Sequence, residues 1–324
     1  MKQHPEPENI TAGVVGLGLM GSSIAVALLA AGHRVKAVAP QRADWLAAPS
    51  RIHDQLLHCE DAGLLHASVE HYLSMLTVTE DYHKLHDCCF VQECVIEKIE
   101  IKTKVYGYIT AAVGPDVVIA SNTSAIPISE LQEHIDRPER FLGVHWAEPA
   151  HATRFLEITC GKHTDMNTAQ WVYQLAQRWG KEPTLLKKDI RGFITNRLMY
   201  AVYREAFHLV ETGQATMEDA DKAFRYDAGS WMTLMGIFRR MDLLGIKDFA
   251  TAFENIFPFL SNSHAVPVVM QRMAEEQARG VQDKNGLYTY TDDDATQWPA
   301  AFAAFTQDIN RLAADYPADV LKKQ

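Results

Sequence analysis

The stretch that most constrains this chain is 12–40, AGVVGLGLMGSSIAVALLAAGHRVKAVAP. A short apolar run from Ala12 to Val15 enters Gly16-Leu17-Gly18-Leu19-Met20-Gly21. An apolar helical pattern of about three turns follows, then Gly32, then a second β-type run from Arg34 to Val38. In that strand–turn–helix–strand context, a G-x-G-x-x-G run is a specific signal for a βαβ unit that cradles a dinucleotide. Gly16 permits the tight turn, Gly18 lets the backbone approach a pyrophosphate, and Gly21 lets helix and strand pack closely. Leu19 and Met20 open the helix, where free N–H groups and the positive dipole end attract anions. One part of the pattern is missing. The second strand should end on Asp or Glu, whose carboxylate takes the ribose hydroxyls. Ala39 stands there, followed by Pro40, Gln41 and Arg42. NAD is the expected cofactor, with NADP left open because nothing at Ala39 repels a 2′-phosphate and Arg42 lies close by.

With 324 residues, two domains are expected. A net charge of −10 without a Lys/Arg cluster argues against nucleic acid or an anionic membrane as partner. No apolar run approaches the ~18–20 residues of a membrane span. The polar start, MKQHPEPENIT, reads as a short tail, unlike a secretory or transit signal. Cys59, Cys88, Cys89, Cys94 and Cys160 lack metal-ligand spacing, so no metal is expected. Reduced thiols and a cytoplasmic setting fit them best.

Residues 43–74 read as two helices joined near Gly63. Cys88–Cys94 reads as a strand, Lys98–Val113 as a helix, Asp116–Ser121 as a strand and Ile128–His134 as a short helix. Phe141–Trp146 and Arg154–Cys160 follow as strands, Asn167–Trp179 as a helix and Thr184–Lys188 as a strand. This alternation predicts an α/β, doubly wound, mostly parallel sheet of the Rossmann type. The link from Trp146 to Arg154 is too short for a parallel crossover, so the last strands should turn antiparallel. From Phe193 onward the pattern is helical throughout. The expected domains are 1–190, binding the dinucleotide, and 191–324, all-helical. In the latter, Phe253, Phe257, Phe259, Phe302 and Phe305 read as core or subunit contact.

Ligands of open α/β sheets sit beyond the carboxyl ends of the strands. His145 ends one strand and Glu157 falls in the next, both six residues from a hairpin centre at His151. Cross-strand pairing lets a carboxylate orient an imidazole and stabilise its charged form, which suits a general base. Asn122 and Ser124, in SNTS, follow another strand end. Alone they read as turn and capping residues. Asn196, in RGFITNR, opens the helical region and alone is a weak signal.

Together these segments resemble the L-3-hydroxyacyl-CoA dehydrogenase family over essentially the whole chain. The resemblance rests on GLGLMG, IEKIEIK, ASNTS, ERFLGVHWAEP, FLEI, RGFITNR and NGLYTY, in family order. It implies a helical hairpin inserted after the second strand and a helical domain through which the protein forms a homodimer. By match, His145 resembles the catalytic base and Glu157 its orienting partner. Ser124 and Asn196 resemble the residues that hold the substrate oxygens. Glu97 and Lys102 resemble contacts to the nicotinamide half of the cofactor, and Asn122 joins them in the cofactor set.

Departures from the family pattern bear on the substrate. The family's Asn in HFxNP is Glu148 here, and its Pro in PGF is Arg191. The family's Ser and Lys that meet the CoA nucleotide fall at Gln55 and Ala62, and no Lys or Arg lies between Arg51 and Lys84. The expected reaction is hydride transfer between a secondary alcohol, of 3-hydroxyacyl or 3-hydroxy acid type, and a nicotinamide. A small free hydroxy acid is the alternative substrate, with Arg191 the candidate contact for its carboxylate. A silent dinucleotide-binding protein is the other alternative, kept open by Ala39 and Glu148. A 3-hydroxyisobutyrate-type enzyme, which also opens with GLGxMG, is disfavoured by the His–Glu pair and SNTS.

Overall fold

The computed structural model describes residues 10–316, so most of the N-terminal tail lies outside the described residues. The chain divides into two compact units, Met1–Asn196 and Arg197–Gln324.

In the first unit, β1 (Thr11–Val15), α1 (Leu19–Ala30) and β2 (Arg34–Val38) form the opening βαβ. Helix α1 buries residues on every side, Ile24, Leu28 and Leu29 among them, as an apolar helix clamped between layers must. The hairpin α2 (Arg42–Asp61) and α3 (Val69–Ser74) turns at Gly63, whose φ of +68° suits glycine. Next comes β3 (Leu76–Thr79), a strand the hydrophobic pattern passes over. It has four residues, none buried, and lies at the sheet edge, so burial imposes no alternation on it.

β4 (Phe90–Glu93), α4 (Ile99–Ala112), β5 (Val118–Ser121), α5 (Ile128–Leu131), β6 (Phe141–Trp146), β7 (Phe155–Cys160), α6 (Met166–Arg178) and β8 (Glu182–Leu186) complete the unit. The sheet order is β3-β2-β1-β4-β5-β6-β7-β8. Strands β1 to β6 are parallel, β7 is antiparallel to β6, and β8 is parallel to β7. The reversal falls at the short link, as its length requires. Chain order reverses between β1 and β4, which opens a crevice at their carboxyl ends. One face of the sheet packs Ile24, Leu28, Leu56, Trp146 and Trp179, with the two indoles stacked at 5.2 Å; the other packs Val91, Tyr106, Ile109 and Phe141.

The second unit is helical. Helix α7 (Thr195–Glu211) begins at the boundary. It is followed by α8 (Met217–Ala223), a π-helical turn at Phe224–Ala228, α9 (Gly229–Leu244), α10 (Ile246–Ile256), α11 (Val268–Glu275) and α12 (Asp294–Asp315). Gly236, with φ +69°, breaks α9. Among the described residues from 197 onward, none is buried. Phe253 and Phe257 stack at 4.6 Å, yet Phe259 is 80% exposed and Phe302 and Phe305 about as open as Phe257. These rings are therefore not core within the chain.

Candidate active site

The glycine loop meets each demand placed on it. Gly16 has φ +95° and donates its N–H to the Val38 carbonyl at 2.9 Å. A Cβ at Gly21 would stand 1.8 Å from the Gly16 carbonyl, so helix and turn touch there and only glycine fits. A Cβ at Gly18 would meet nothing within 4 Å. That open space, beside an α1 N-terminus that no side chain caps, fits a pyrophosphate. Leu19 is exposed and Met20 half-buried at the same place. Ala39 is buried, and its N–H goes to the Thr79 carbonyl; it supplies no acceptor for a ribose.

Next to this loop, β4 ends in a buried carboxylate. Glu93 accepts from the Val95 N–H (2.7 Å), Lys102 Nζ (2.8 and 3.0 Å), the Tyr106 hydroxyl (3.0 Å) and the Ser121 hydroxyl (2.7 Å). So many donors offset the cost of burying the charge. Lys102 also reaches Glu97 at 3.2 Å. Burial alone would lower the Lys102 pKa, but the charges and hydrogen bonds of Glu93 and Glu97 outweigh it and raise it. Burial pushes Glu97 up, while its Thr123 hydrogen bond and the Lys102 charge bring it below the usual carboxylate value. Glu97 takes the Thr123 hydroxyl and the Ser124 N–H. Glu97 and Lys102 are thus links in a chain from β4 to the SNTS turn, with Lys102 only 1% exposed.

The Asn122 side-chain oxygen accepts from the Trp146 N–H at 3.0 Å, which fastens SNTS to the strand end beside His145. Ser124 is exposed, and its carbonyl accepts from Asn196 Nδ2 at 2.9 Å.

His145 and Glu157 are register partners across β6 and β7, as their spacing predicts. His145 Nδ1 stands 3.4 Å from Glu157 Oε2, and the carboxylate is almost wholly buried. The other oxygen, Oε1, accepts from the Ile194 N–H at 2.7 Å. Phe155 and Phe193 flank the imidazole with ring centres 5.7 and 6.1 Å away. Lys181 fixes the hairpin by donating to the Ala150 and Thr153 carbonyls, and burial brings its pKa down to about 8. His145 Nε2 has no hydrogen-bond partner among the described residues, which leaves it free to take a proton from a substrate.

Among the described residues, Arg191 makes no hydrogen bond to this group. Its guanidinium pairs with Glu130 at 3.0 Å, beside the Ser129–Asp189 hydrogen bonds. Phe193, the Ile194 N–H, Glu93 and Thr123 escaped the sequence reading as site residues. The segments that contain them, RGFITNR, the strand Cys88–Cys94 and SNTS, were the signal that could have found them.

The N-terminal unit matches the family model described as "3-hydroxyacyl-CoA dehydrogenase, NAD binding domain" over residues 11–190. The "3-hydroxyacyl-CoA dehydrogenase, C-terminal domain" model matches residues 192–290. A 5-formyl-3-hydroxy-2-methylpyridine 4-carboxylate 5-dehydrogenase of Mesorhizobium japonicum is 32% identical over 282 residues, 86% of this chain and 90% of that protein. A 3-hydroxybutyryl-CoA dehydrogenase of Mycobacterium tuberculosis is 32% identical over 281 residues, 86% of this chain and 97% of that protein. Among solved structures, a 5-dehydrogenase of the same pyridine carboxylate, described as an NAD+-dependent dismutase, superposes with a TM-score of 0.88. That match has 29% identity and covers 95% of this chain and 99% of that one. No helix among the described residues is long and apolar enough to cross a membrane, and no His/Cys/Asp/Glu group there is set to hold a metal.

Proposed function

The chain belongs to the 3-hydroxyacyl-CoA dehydrogenase family, and on that premise we propose that it oxidises the hydroxyl of a small free acid, with His145 as general base. It is an NAD-dependent oxidoreductase acting on CH–OH. NAD, when bound, supplies the hydride acceptor, and Gly16, Gly18, Leu19, Met20 and Gly21 would hold its pyrophosphate. His145 Nε2 takes the hydroxyl proton. Glu157, through Nδ1, stabilises the imidazolium that results, and the Ile194 N–H keeps that carboxylate aimed. Ser124 and Asn196 hold the substrate oxygens. Glu97, Lys102 and Asn122 serve the cofactor end by fixing the SNTS turn. The carrying observation is the His145–Glu157 register pair with its free Nε2.

The preference for a free acid rests on the α2–α3 hairpin. Residues 52–83 contain no Lys or Arg, so that surface offers the phosphates of CoA no charge-assisted hydrogen bond. Arg191 is the carboxylate contact in this reading, shared with Glu130. The 0.88 superposition also favours a second reading, oxidation of an aldehyde. A hydrated aldehyde presents a hydroxyl to the same base and leaves as the acid. The exposed apolar faces of the helical unit support a homodimer formed through it, and the reduced cysteines support a cytoplasmic setting.

The test compares acetoacetyl-CoA with short-chain free keto acids and aromatic aldehyde acids, in the wild type and in Arg191→Ala. The free acids should turn over with the higher kcat/KM, and Arg191→Ala should raise their KM by about tenfold, the loss of one charge-assisted contact. Efficient turnover of acetoacetyl-CoA at micromolar KM, insensitive to Arg191, contradicts the free-acid reading.

A further inference from the structure

Beyond Arg42, Arg51 is the only Lys or Arg on α2, and it points at the glycine loop. Its Nη1 donates to the Leu17 carbonyl at 2.8 Å and to Ser22 Oγ at 3.2 Å. Ser22 Oγ donates to the same carbonyl, also at 3.2 Å. Leu17, fully buried, sits between the first two glycines of the motif. A trans peptide is planar, with its C=O and N–H directed oppositely. Holding the Leu17 carbonyl therefore turns the Gly18 N–H away from Arg51 and fixes its direction. No carboxylate pairs with Arg51 among the described residues; the neighbouring Asp54 pairs with His53. An uncompensated guanidinium one hydrogen bond from the loop lies within a Debye length of any anion held there.

We propose that Arg51 sets the loop's affinity for a dinucleotide pyrophosphate: it orients the Leu17–Gly18 peptide and lends the loop its positive charge. Ala39 contributes no ribose acceptor on the adenosine side, which leaves the pyrophosphate end to carry more of the binding. The proposal rests on Gly16–Gly21 being the dinucleotide loop.

The experiment measures Kd for NADH by fluorescence and for ADP by calorimetry, with adenosine as the phosphate-free control. Wild type, Arg51→Gln and Arg51→Lys are compared at low and moderate ionic strength. Gln retains a donor but no charge, so NADH and ADP should each bind about tenfold or more weakly at low salt. The gap should narrow as salt rises, and adenosine should be unaffected. Lys keeps the charge with a poorer fork, so its loss should be only about two- to fivefold; this arm carries the test if Arg51→Gln does not fold. Wild-type affinities in both variants, or a loss equal for adenosine and indifferent to salt, would overturn the role of Arg51 alone. A wild type that binds neither NADH nor ADP would overturn the loop assignment and the proposal with it.

Discussion

The two units of this chain solve the problem of burial in opposite ways. The α/β unit covers both faces of its sheet, directs five hydrogen bonds from four donor groups at one buried carboxylate, and completes its core internally. The helical unit has amphipathic helices, yet none of its described residues is buried, and Phe238 and Phe259 are each 80% exposed. Apolar surface left uncovered on that scale marks an interaction face. One unit completes its own core, while the other leaves apolar faces open; in the reading proposed above, a second copy covers them.

The largest effect is expected at Gly18. Its φ of −63° suits any residue, and a Cβ there meets no protein atom within 4 Å. Gly18→Val should therefore fold normally in both units and lose NADH binding altogether, as calorimetry would show, because the side chain fills the pyrophosphate's path. Retained affinity in the folded variant would remove the loop from the site.

A second test addresses the helical unit. Light scattering should find a dimer, and Phe238→Glu with Phe259→Glu should shift it toward monomer, each costing ~2 kcal/mol of association as a buried aromatic anchor does. A wild type that is monomeric at high concentration, with a single cooperative melt, would mean that the helical unit needs no cover.

Acid offers a third and smaller effect, confined to the α/β unit. Burial takes His33 from 6.5 down to about 4, and burial with the Lys181 charge does the same to His151. Between those values the unfolded chain binds the protons and the folded one does not. Stability is thus complete above pH ~6.5 and is lost as pH falls toward ~4, by on the order of 3 kcal/mol for the two together once partial exposure is allowed for. Among the described residues, neither ring nitrogen of His33 has a hydrogen-bond partner. His33→Leu should consequently flatten the fall between urea melts at pH 7.5 and 5; an unchanged fall would exclude His33 as a source.

Legibility in the sequence followed the distance between interacting residues. The opening βαβ and the His145–Glu157 pair were readable because each is local: a contiguous motif, and a hairpin whose register follows from counting. The antiparallel turn at β7 followed from a link too short for anything else. The contacts that packing creates were not readable. Lys102 looked like a ligand contact, but the sheet closes over it and gives it to Glu93. Arg191 reads from the sequence as a contact for a substrate carboxylate, and the Glu130 that α5 brings it from far along the chain was not legible there. Arg51 carried no signal at all, because its meaning depends on α2 lying against α1. Edge strand β3 was lost for the opposite reason, having too little burial to pattern it.

The proposed chemistry turns on His145. Single-turnover hydride transfer, followed at saturating NAD and substrate in the wild type and in His145→Gln, isolates the chemical step, with the NADH Kd measured on the same samples. A general base within reach of the hydroxyl contributes ~10²–10⁴ in rate. The transfer rate should fall by that factor in His145→Gln with the NADH Kd within about twofold of wild type, a difference of well under 1 kcal/mol. A transfer rate equal to wild type would contradict the assignment of His145 as the base.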